Sequence, residues 1–381
     1  RCDVSRYFAC RDDQSIVFIA PLLISTAEGS MRIAFVVADW TEMTPGKSST
    51  LAMIREAVAR GHQTYILYPR NLTVRDNVAY GFARRVNVEG KVSDSVPTFY
   101  KKVTLSEKML PLHSLDAIFV RRDPPLDPIV LNFLDSIKAE TVVLNDVDGI
   151  RKANNKIYTT SFHTVGPEYL PETYVSKNKE YLKRIIRESD RDCWILKPLD
   201  GSGGRGVILL ETKAQGSLNS LLDFYIDSNH GQSNYVILQE YLEAAQEGDV
   251  RVLMLGGEYL GAYQRRPSPD DIRANIQAGA TAHAVTLSDE QHQLLRKIGP
   301  QLMADGLHFV GLDLIGNKLL EVNVLNPGGI TNINRLNRKK LEKKVLDYVE
   351  RLVAERHAKH SELELRLSRL AELRQHLDGA H

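Results

Sequence analysis

The chain has 381 residues, enough for two or three domains with sizeable cores. Its composition, 43% hydrophobic and 25% charged, is ordinary for a globular protein, and a net charge of +1 gives none of the basic excess expected of a nucleic-acid binder. No apolar run reaches the roughly 18 residues that mark a membrane helix. Cys2, Cys10 and Cys193 are too few and too scattered for a disulfide framework or a cysteine-based zinc site, which points to a reducing cytoplasm.

Residues 1–30 read differently from the rest. The apolar run Ile16 to Ile24, with Pro21 in it and Arg1, Arg6 and Arg11 before it, faintly resembles a signal peptide. The favoured reading is an extension with no catalytic part, because a clean strand begins just after Met31. From there to residue 154 the pattern is α/β: strand Ile33 to Ala38, helix Ser49 to Arg60, strand Gln63 to Tyr68. Further strands are expected at Arg84 to Val88, Thr98 to Val103, Ala117 to Arg121 and Thr141 to Leu144. The loop Gly46-Lys47-Ser48-Ser49 invites a P-loop reading, but a P-loop requires glycine where this chain has Thr41. It reads instead as a helix N-terminus able to bind a substrate carboxylate.

A second unit, 155–245, opens with Lys156 on an expected helix, Asn154 to Phe162. A helix over 178–188 follows, and then a buried strand delivers Lys197 straight into glycines 201, 203, 204 and 206. A strand-borne lysine ahead of a loop that turns its N–H groups toward an anion suits phosphate. The strand Tyr235 to Gln239 runs out through Glu240, Tyr241 and Leu242, a place where backbone groups can meet a purine. A third unit, 246–335, begins near Asp249 and Arg251 and returns through Tyr259 to Tyr263 to Arg265. Residues 266–283, with Arg273 and Asn275, read as a long loop and a lid, with a disordered connection as the alternative.

The most informative stretch is Val310 to Gly329. A hairpin with a three-residue turn, Gly316-Asn317-Lys318, sets Asp313 opposite Glu321 and Gly311 opposite Asn323. Asp313, Glu321 and Asn323 then share one face, while Leu312, Leu314, Leu320, Val322 and Val324 bury the other. A two-residue turn would send Glu321 to the buried face. Two carboxylates and an amide form a hard oxygen site for Mg²⁺ or Mn²⁺, ions that share their coordination with phosphates; the bland alternative is a solvated hairpin face. Residues 336–381 form a charged helical tail. Leu363, Leu370 and Leu377 recur at heptad spacing with Leu367 and Leu373 nearby, and Arg366 interrupts any coiled-coil seam. A helix packed on its own domain is expected there, with a subunit-joining helix as the alternative.

Taken in order, Arg121-Arg-Asp-Pro-Pro125, Lys156, Pro171-Glu-Thr173, Leu196-Lys-Pro-Leu-Asp-Gly-Ser-Gly-Gly204, Gln239-Glu-Tyr-Leu242, Gly248-Asp-Val-Arg-Val-Leu253, Phe309-Val-Gly-Leu-Asp313 and Glu321-Val-Asn323 resemble the bacterial glutathione synthetases of the ATP-grasp ligase superfamily. The resemblance spans about Met31 to Glu350. It implies an ATP-grasp fold: an N-terminal α/β domain, a small lid-like subdomain and a C-terminal antiparallel-sheet subdomain. It also implies ATP phosphates on Lys156, Lys197, Gly203 and Gly204, adenine along Gln239, Glu240, Tyr241 and Leu242, and ribose at Asp249. Asp313, Glu321 and Asn323 would hold magnesium, and Arg251 and Arg265 would steady the reacting carboxylate. Arg273, Asn275, Asn326, Gly328 and Gly329 would meet the substrate. The backbone N–H groups of Gly328 and Gly329 are a candidate cradle for a carboxylate. The family usually continues past its metal ligands with a Ser/Thr-rich segment ending in Pro; this chain has Leu325-Asn326-Pro327-Gly328-Gly329.

The implied reaction joins a carboxylate to an amine through an acyl phosphate, with γ-glutamylcysteine and glycine as the leading small-molecule pair. A ligase for a different pair and a non-catalytic nucleotide-binding module are the alternatives. The family implies a homo-oligomer; neither nucleic acid nor membrane is expected as a partner.

Overall fold

In a computed structural model the described residues are 29–199, 204–213, 215–227, 233–268 and 279–378. The loop positions Gly203, Arg273 and Asn275, and the extension before residue 29, lie outside them.

The chain opens with β1 (Arg32–Val36), α1 (Ser49–Ala59), β2 (Gln63–Leu67), β3 (Leu72–Arg75), β4 (Val78–Val88), α2 (Val96–Lys102), β5 (Val103–Pro111), β6 (Ala117–Val120), α3 (Pro128–Asp135), β7 (Val142–Leu144) and α4 (Val147–Ala153). They build a seven-stranded sheet ordered β3-β4-β2-β1-β6-β7, with β5 also on β4. Strands β2, β1, β6 and β7 pair in parallel. From β1 the chain moves by way of α1 to β2 on one side, and β6 returns on the other. The carboxyl ends of β1 and β6 therefore flank a crevice, the place where open α/β sheets take ligands. The strand expected at Thr98 to Val103 is helical instead. Ser95 caps α2 by accepting from Thr98 N, Pro97 sits in its first turn, and extended chain starts only at Val103. Cap chemistry outweighed the β-propensity of that stretch.

A second sheet follows from β8 (Thr173–Ser176), α5 (Lys179–Glu188), β9 (Cys193–Pro198), β10 (Ile208–Glu211), α6 (Gln215–Ile226) and β11 (Val236–Glu240), ordered β10-β9-β11-β8. It has its own core around Leu182, Trp194, Leu196, Leu222 and Leu238. Lys156 precedes it on a 3-10 helix, Lys156–Ser161, rather than on the longer helix expected.

The third sheet holds β12 (Asp249–Leu255), β13 (Glu258–Arg266), β14 (Thr281–His283), β15 (Phe309–Ile315) and β16 (Lys318–Asn323), ordered β14-β13-β12-β15-β16, with α7 (Asp289–Ala304) between β14 and β15. Asn145, just past β7, ties this sheet to the first: its amide donates to the Phe309 and Val324 carbonyls at 2.8 and 2.6 Å and accepts from Phe309 N at 2.6 Å. Two helices close the chain, α8 (Ile330–Asn337) and α9 (Leu341–Asp378). The first part of α9 belongs to the body of the protein. Leu341, Val345, Leu346, Val349 and Val353 are buried in the cluster that holds Leu51 and Ile54 of α1.

The β15–β16 hairpin has the expected register by an unexpected route. Ile315 pairs with Lys318, so the turn is only Gly316-Asn317, and Leu314 pairs with Leu319. Asp313 nevertheless pairs with Glu321, because Leu320 is an extra residue, a β-bulge that shifts the ladder by one. The bulge exchanges two leucines: Leu319, not Leu320, is buried in the core, and Leu320 lines the cleft.

Candidate active site

The cleft between the sheets has a volume of about 1850 Å³, and one hairpin face, strands β9 and β11 of the second sheet and the crevice of the first all open onto it. Its charged centre is a cross-strand cluster. Arg251 on β12 pairs in register with Asp313 on β15, and Asp249 with Arg265 on β13. Residues opposite one another in a ladder share a face, so the four side chains meet. Arg251 donates from Nε and Nη2 to the two oxygens of Asp313 at 2.5 and 3.0 Å. Arg265 holds Asp249 in the same bidentate way at 2.6 and 2.5 Å and reaches Asp313 at 3.0 Å. Burial opposes ionisation of Asp313, yet the charges of Arg251 and Arg265 hold its carboxyl far below the usual carboxylate range. Burial pushes Asp249 up to about 6 against the pull of Arg265.

Glu321 sits across from this pair and differs from it. Burial and then the negative charge of Asp313 raise its pKa, with Lys156, Lys197 and Arg251 opposing. Asn323 donates its amide N–H to Asp313 Oδ2 at 3.2 Å and to the Gly311 carbonyl at 3.4 Å, which turns its oxygen elsewhere. Among the described residues no group of three or more His, Cys, Asp or Glu side chains gathers to hold a metal. A hard cation sharing its ligands with phosphate could use the Asp313, Glu321 and Asn323 oxygens only once Asn323 turns its amide and Asp313 yields an arginine contact, and a carboxylate costly to ionise alone is one a cation would relieve.

Two lysines face the carboxylates across the cleft. Lys197 on β9 is buried and donates to Gln239 Oε1 on the neighbouring β11 at 2.8 Å, while Gln239 Nε2 donates to Thr173 Oγ1 at 2.8 Å. Burial lowers the Lys197 ammonium to about 8, with Lys156 adding to that effect and Glu321 and Asp313 opposing it. Lys156 reaches the Leu199 carbonyl at 3.5 Å, at the entry to the glycine loop. Gly204, at a positive φ of 72°, and Gly206 line the cleft together with Lys197.

Glu240, Tyr241 and Leu242 line the cleft with Ile195, Val207, Ile315 and Leu320, an apolar slot suited to a base. The Glu240 side chain is occupied: it pairs with Lys318 at the start of β16 and with Arg191 at 3.0 Å, and it accepts from Glu172 N at 2.9 Å. Any contact from Glu240 to a base in the cleft would therefore come from its backbone. Arg191 was not singled out in the sequence, and Thr173, Lys318 and Leu320 were read there as a motif end, a turn residue and a buried leucine rather than as contacts of Gln239, Glu240 and the cleft.

At the crevice of the first sheet, Asn326 donates to Asp123 Oδ1 at 2.7 Å, and Arg251 Nη1 reaches the Gly328 carbonyl at 3.4 Å. The cradle expected from paired glycine N–H groups is not free to form as such. Gly329 N and Ile330 N both donate to Ser49 Oγ at 3.1 Å, and Gly329 sits at φ 134° against Tyr263. Ser49 on α1 thus pins the start of α8, while Leu325, Asn326, Gly328 and Gly329 all line the cleft.

Three antiparallel and mixed sheets around a nucleotide-sized cleft, with lysines on one side and a carboxylate–arginine hairpin site on the other, define an ATP-grasp ligase. Solved structures share this fold: D-cycloserine synthetase DcsG aligns over 85% of this chain and 99% of its own with a TM-score of 0.55 at 15% identity. A RimK-domain ATP-grasp protein from Sphaerobacter thermophilus aligns over 83% of this chain and 98% of its own at 0.54 and 17% identity. Within that class, residues 31–151 match the prokaryotic glutathione synthetase N-terminal domain and residues 155–338 its ATP-grasp domain, so the chain belongs to the prokaryotic glutathione synthetase family. Curated glutathione synthetases from Thermosynechococcus vestitus and Synechococcus elongatus are 32% and 34% identical to it, each over 99% of its own length and 84% and 85% of this chain.

Proposed function

We propose that the protein makes glutathione, joining the cysteinyl carboxylate of γ-glutamylcysteine to the amine of glycine with conversion of ATP to ADP and phosphate. The observation that carries the reading is the convergence of Asp313, Glu321 and Asn323 with Lys156, Lys197, Arg251 and Arg265 on one cleft of a chain in this family. The difficulty of the reaction is electrostatic. A carboxylate must approach a triphosphate in line, and both are anions. Lys156 and Lys197 bind and orient the phosphates. Asp313, Glu321 and Asn323 would hold magnesium, which when bound supplies neutralising charge on the phosphate oxygens.

Arg251 and Arg265 lie beside those ligands and stabilise the charge that builds on the carboxylate oxygens as the acyl phosphate forms. Their pairing with Asp313 and Asp249 fixes them before substrate arrives. The glycine amine then displaces phosphate from the acyl group, a step that needs no side-chain nucleophile. ADP release by the purified protein with ATP and Mg²⁺ tests the proposal. Release is expected only when γ-glutamylcysteine and glycine are both present; ADP that appears only with other amino-acid or peptide pairs overturns the glutathione assignment and leaves the ligase class standing.

A further inference from the structure

The wall of the cleft formed by the first sheet carries a charge the reaction chemistry above does not use. Arg121 follows β6 directly, and its backbone N–H donates to the Val36 carbonyl at 2.8 Å, which places it between the carboxyl ends of β1 and β6. Its side chain is 4% exposed and lines the cleft. Nε donates to Thr50 Oγ1 at 3.1 Å and Nη2 to the Pro327 carbonyl at 3.0 Å, the guanidinium lies over the Phe309 ring with Cζ 5.6 Å from its centroid, and the buried Nη1 has no hydrogen-bond partner among the described residues. Both acceptors are neutral. Burial lowers the guanidinium to about 9, and the one charge that opposes the shift is Asp123, through space. A buried cation without a contacting anion is costly, and an anion entering from the cleft would relieve it. The first turn of α1 reinforces the site: Ser48 caps the helix by accepting from Leu51 N at 3.2 Å, and Ser48, Ser49 and Thr50 line the same wall. The positive end of the α1 dipole points there too.

Asp123, two residues on, is the complement. It is exposed on that wall, accepts from Asn326 Nδ2 through one oxygen, and forms no ion pair with a described residue. A guanidinium that lacks an anion beside a carboxylate that lacks a cation matches an amino-acid zwitterion. We propose that this wall binds the free amino-acid head of the donor, its α-carboxylate against Arg121 and the first turn of α1 and its α-ammonium against Asp123 with Asn326. The proposal rests on the glutathione reading, in which that head is the γ-glutamyl end of γ-glutamylcysteine. Arg121 and Asp123 would then set the donor's identity and its distance from the arginine–carboxylate centre, where the cysteinyl carboxylate reacts.

Arg121 is buried and its loss alters packing, so the test uses the exposed Asp123 and the substrate itself. Steady-state rates are compared for γ-glutamylcysteine, glutarylcysteine, which lacks the ammonium, and 4-aminobutyrylcysteine, which lacks the α-carboxylate. With the wild-type chain each analogue is expected to lose roughly 10- to 100-fold in kcat/KM, the range for a hydrogen bond to a charged group, with KM for ATP and glycine unchanged. Asp123→Asn is expected to bring γ-glutamylcysteine down to the level of glutarylcysteine while keeping the discrimination against 4-aminobutyrylcysteine. A merely structural Asp123 would lower all three donors alike, which overturns the proposal. Equal use of the three donors by the wild type also overturns it and leaves the glutathione reading intact. No turnover of γ-glutamylcysteine with glycine overturns both.

Discussion

At the scale of single residues, the site is a set of charges held in states they would not choose in water, and Glu321 is the clearest case. Burial, then the charge of Asp313, raises its pKa above the unfolded value. The sign of the stability effect follows. Below the unfolded pKa both states are protonated and there is no cost; above the folded pKa the folded protein bears the full cost of the buried charge. Glu321→Gln removes that charge at nearly constant shape. The ligand-free variant is therefore expected to melt at a higher temperature than the wild type at pH 7, and the difference should vanish as pH falls below about 4. The same substitution weakens the oxygen set, so magnesium-dependent ADP release should drop by on the order of 100-fold or more. Thermal melts across pH and an ADP assay check both halves. Unchanged turnover would sink the metal role, and a destabilised variant at pH 7 would sink the electrostatic account.

At the scale of elements, the hairpin shows how far a sequence carries and where it stops. The register of Asp313 on Glu321 was legible because alternation ties each residue to a face, and a slip of one would bury the carboxylates. The turn length was not legible. Leu319 and Leu320 are the same residue type side by side, so no pattern says which is buried and which is the bulge. Likewise Lys197 and the glycine loop are neighbours in sequence and could be read, whereas Arg121 finds Pro327 and Ser49 finds Gly329 only through the folded chain. Contacts of that range are decided by how the sheets dock, which local periodicity does not encode. The bulge carries a testable consequence. Leu320 stands in the apolar slot with Ile195, Val207 and Ile315, so Leu320→Ala should raise KM for ATP by roughly 10-fold, the order expected for the lost burial of a leucine. Its kcat should stay near the wild-type value. Leu319→Ala, by contrast, empties a fully buried position and should cost stability instead, by about 3 kcal/mol in urea unfolding.

At the scale of the whole molecule, the question is what α9 does beyond residue 338, where the match to the family's ATP-grasp domain ends. Its two halves differ physically. The first half buries Leu341, Val345, Leu346, Val349 and Val353 against α1. It is also held by polar contacts to the first sheet's layer: Arg60 pairs with Glu350 at 2.9 Å and Asp347 at 2.7 Å, His62 reaches Glu350 at 2.9 Å, and Arg356 donates to the Lys138 and Ala139 carbonyls. The helix thus joins the end of the chain to its beginning, across the same α1 whose first turn faces the cleft. Beyond it the character changes, and Leu363, Leu365, Leu367 and Leu370 are all more than half exposed. Truncation after residue 358 should therefore leave the melting temperature and the ADP-forming activity within error of the full chain. Truncation after residue 338 removes five buried aliphatic side chains and should destabilise the protein by on the order of 5 kcal/mol or more, with activity lost as α1 loosens. Urea unfolding and activity of the two truncations decide the matter. Equal stability would mean that α9 only rests on the surface, and equal loss would mean that the exposed leucines of the second half are buried in solution against something the chain itself does not provide.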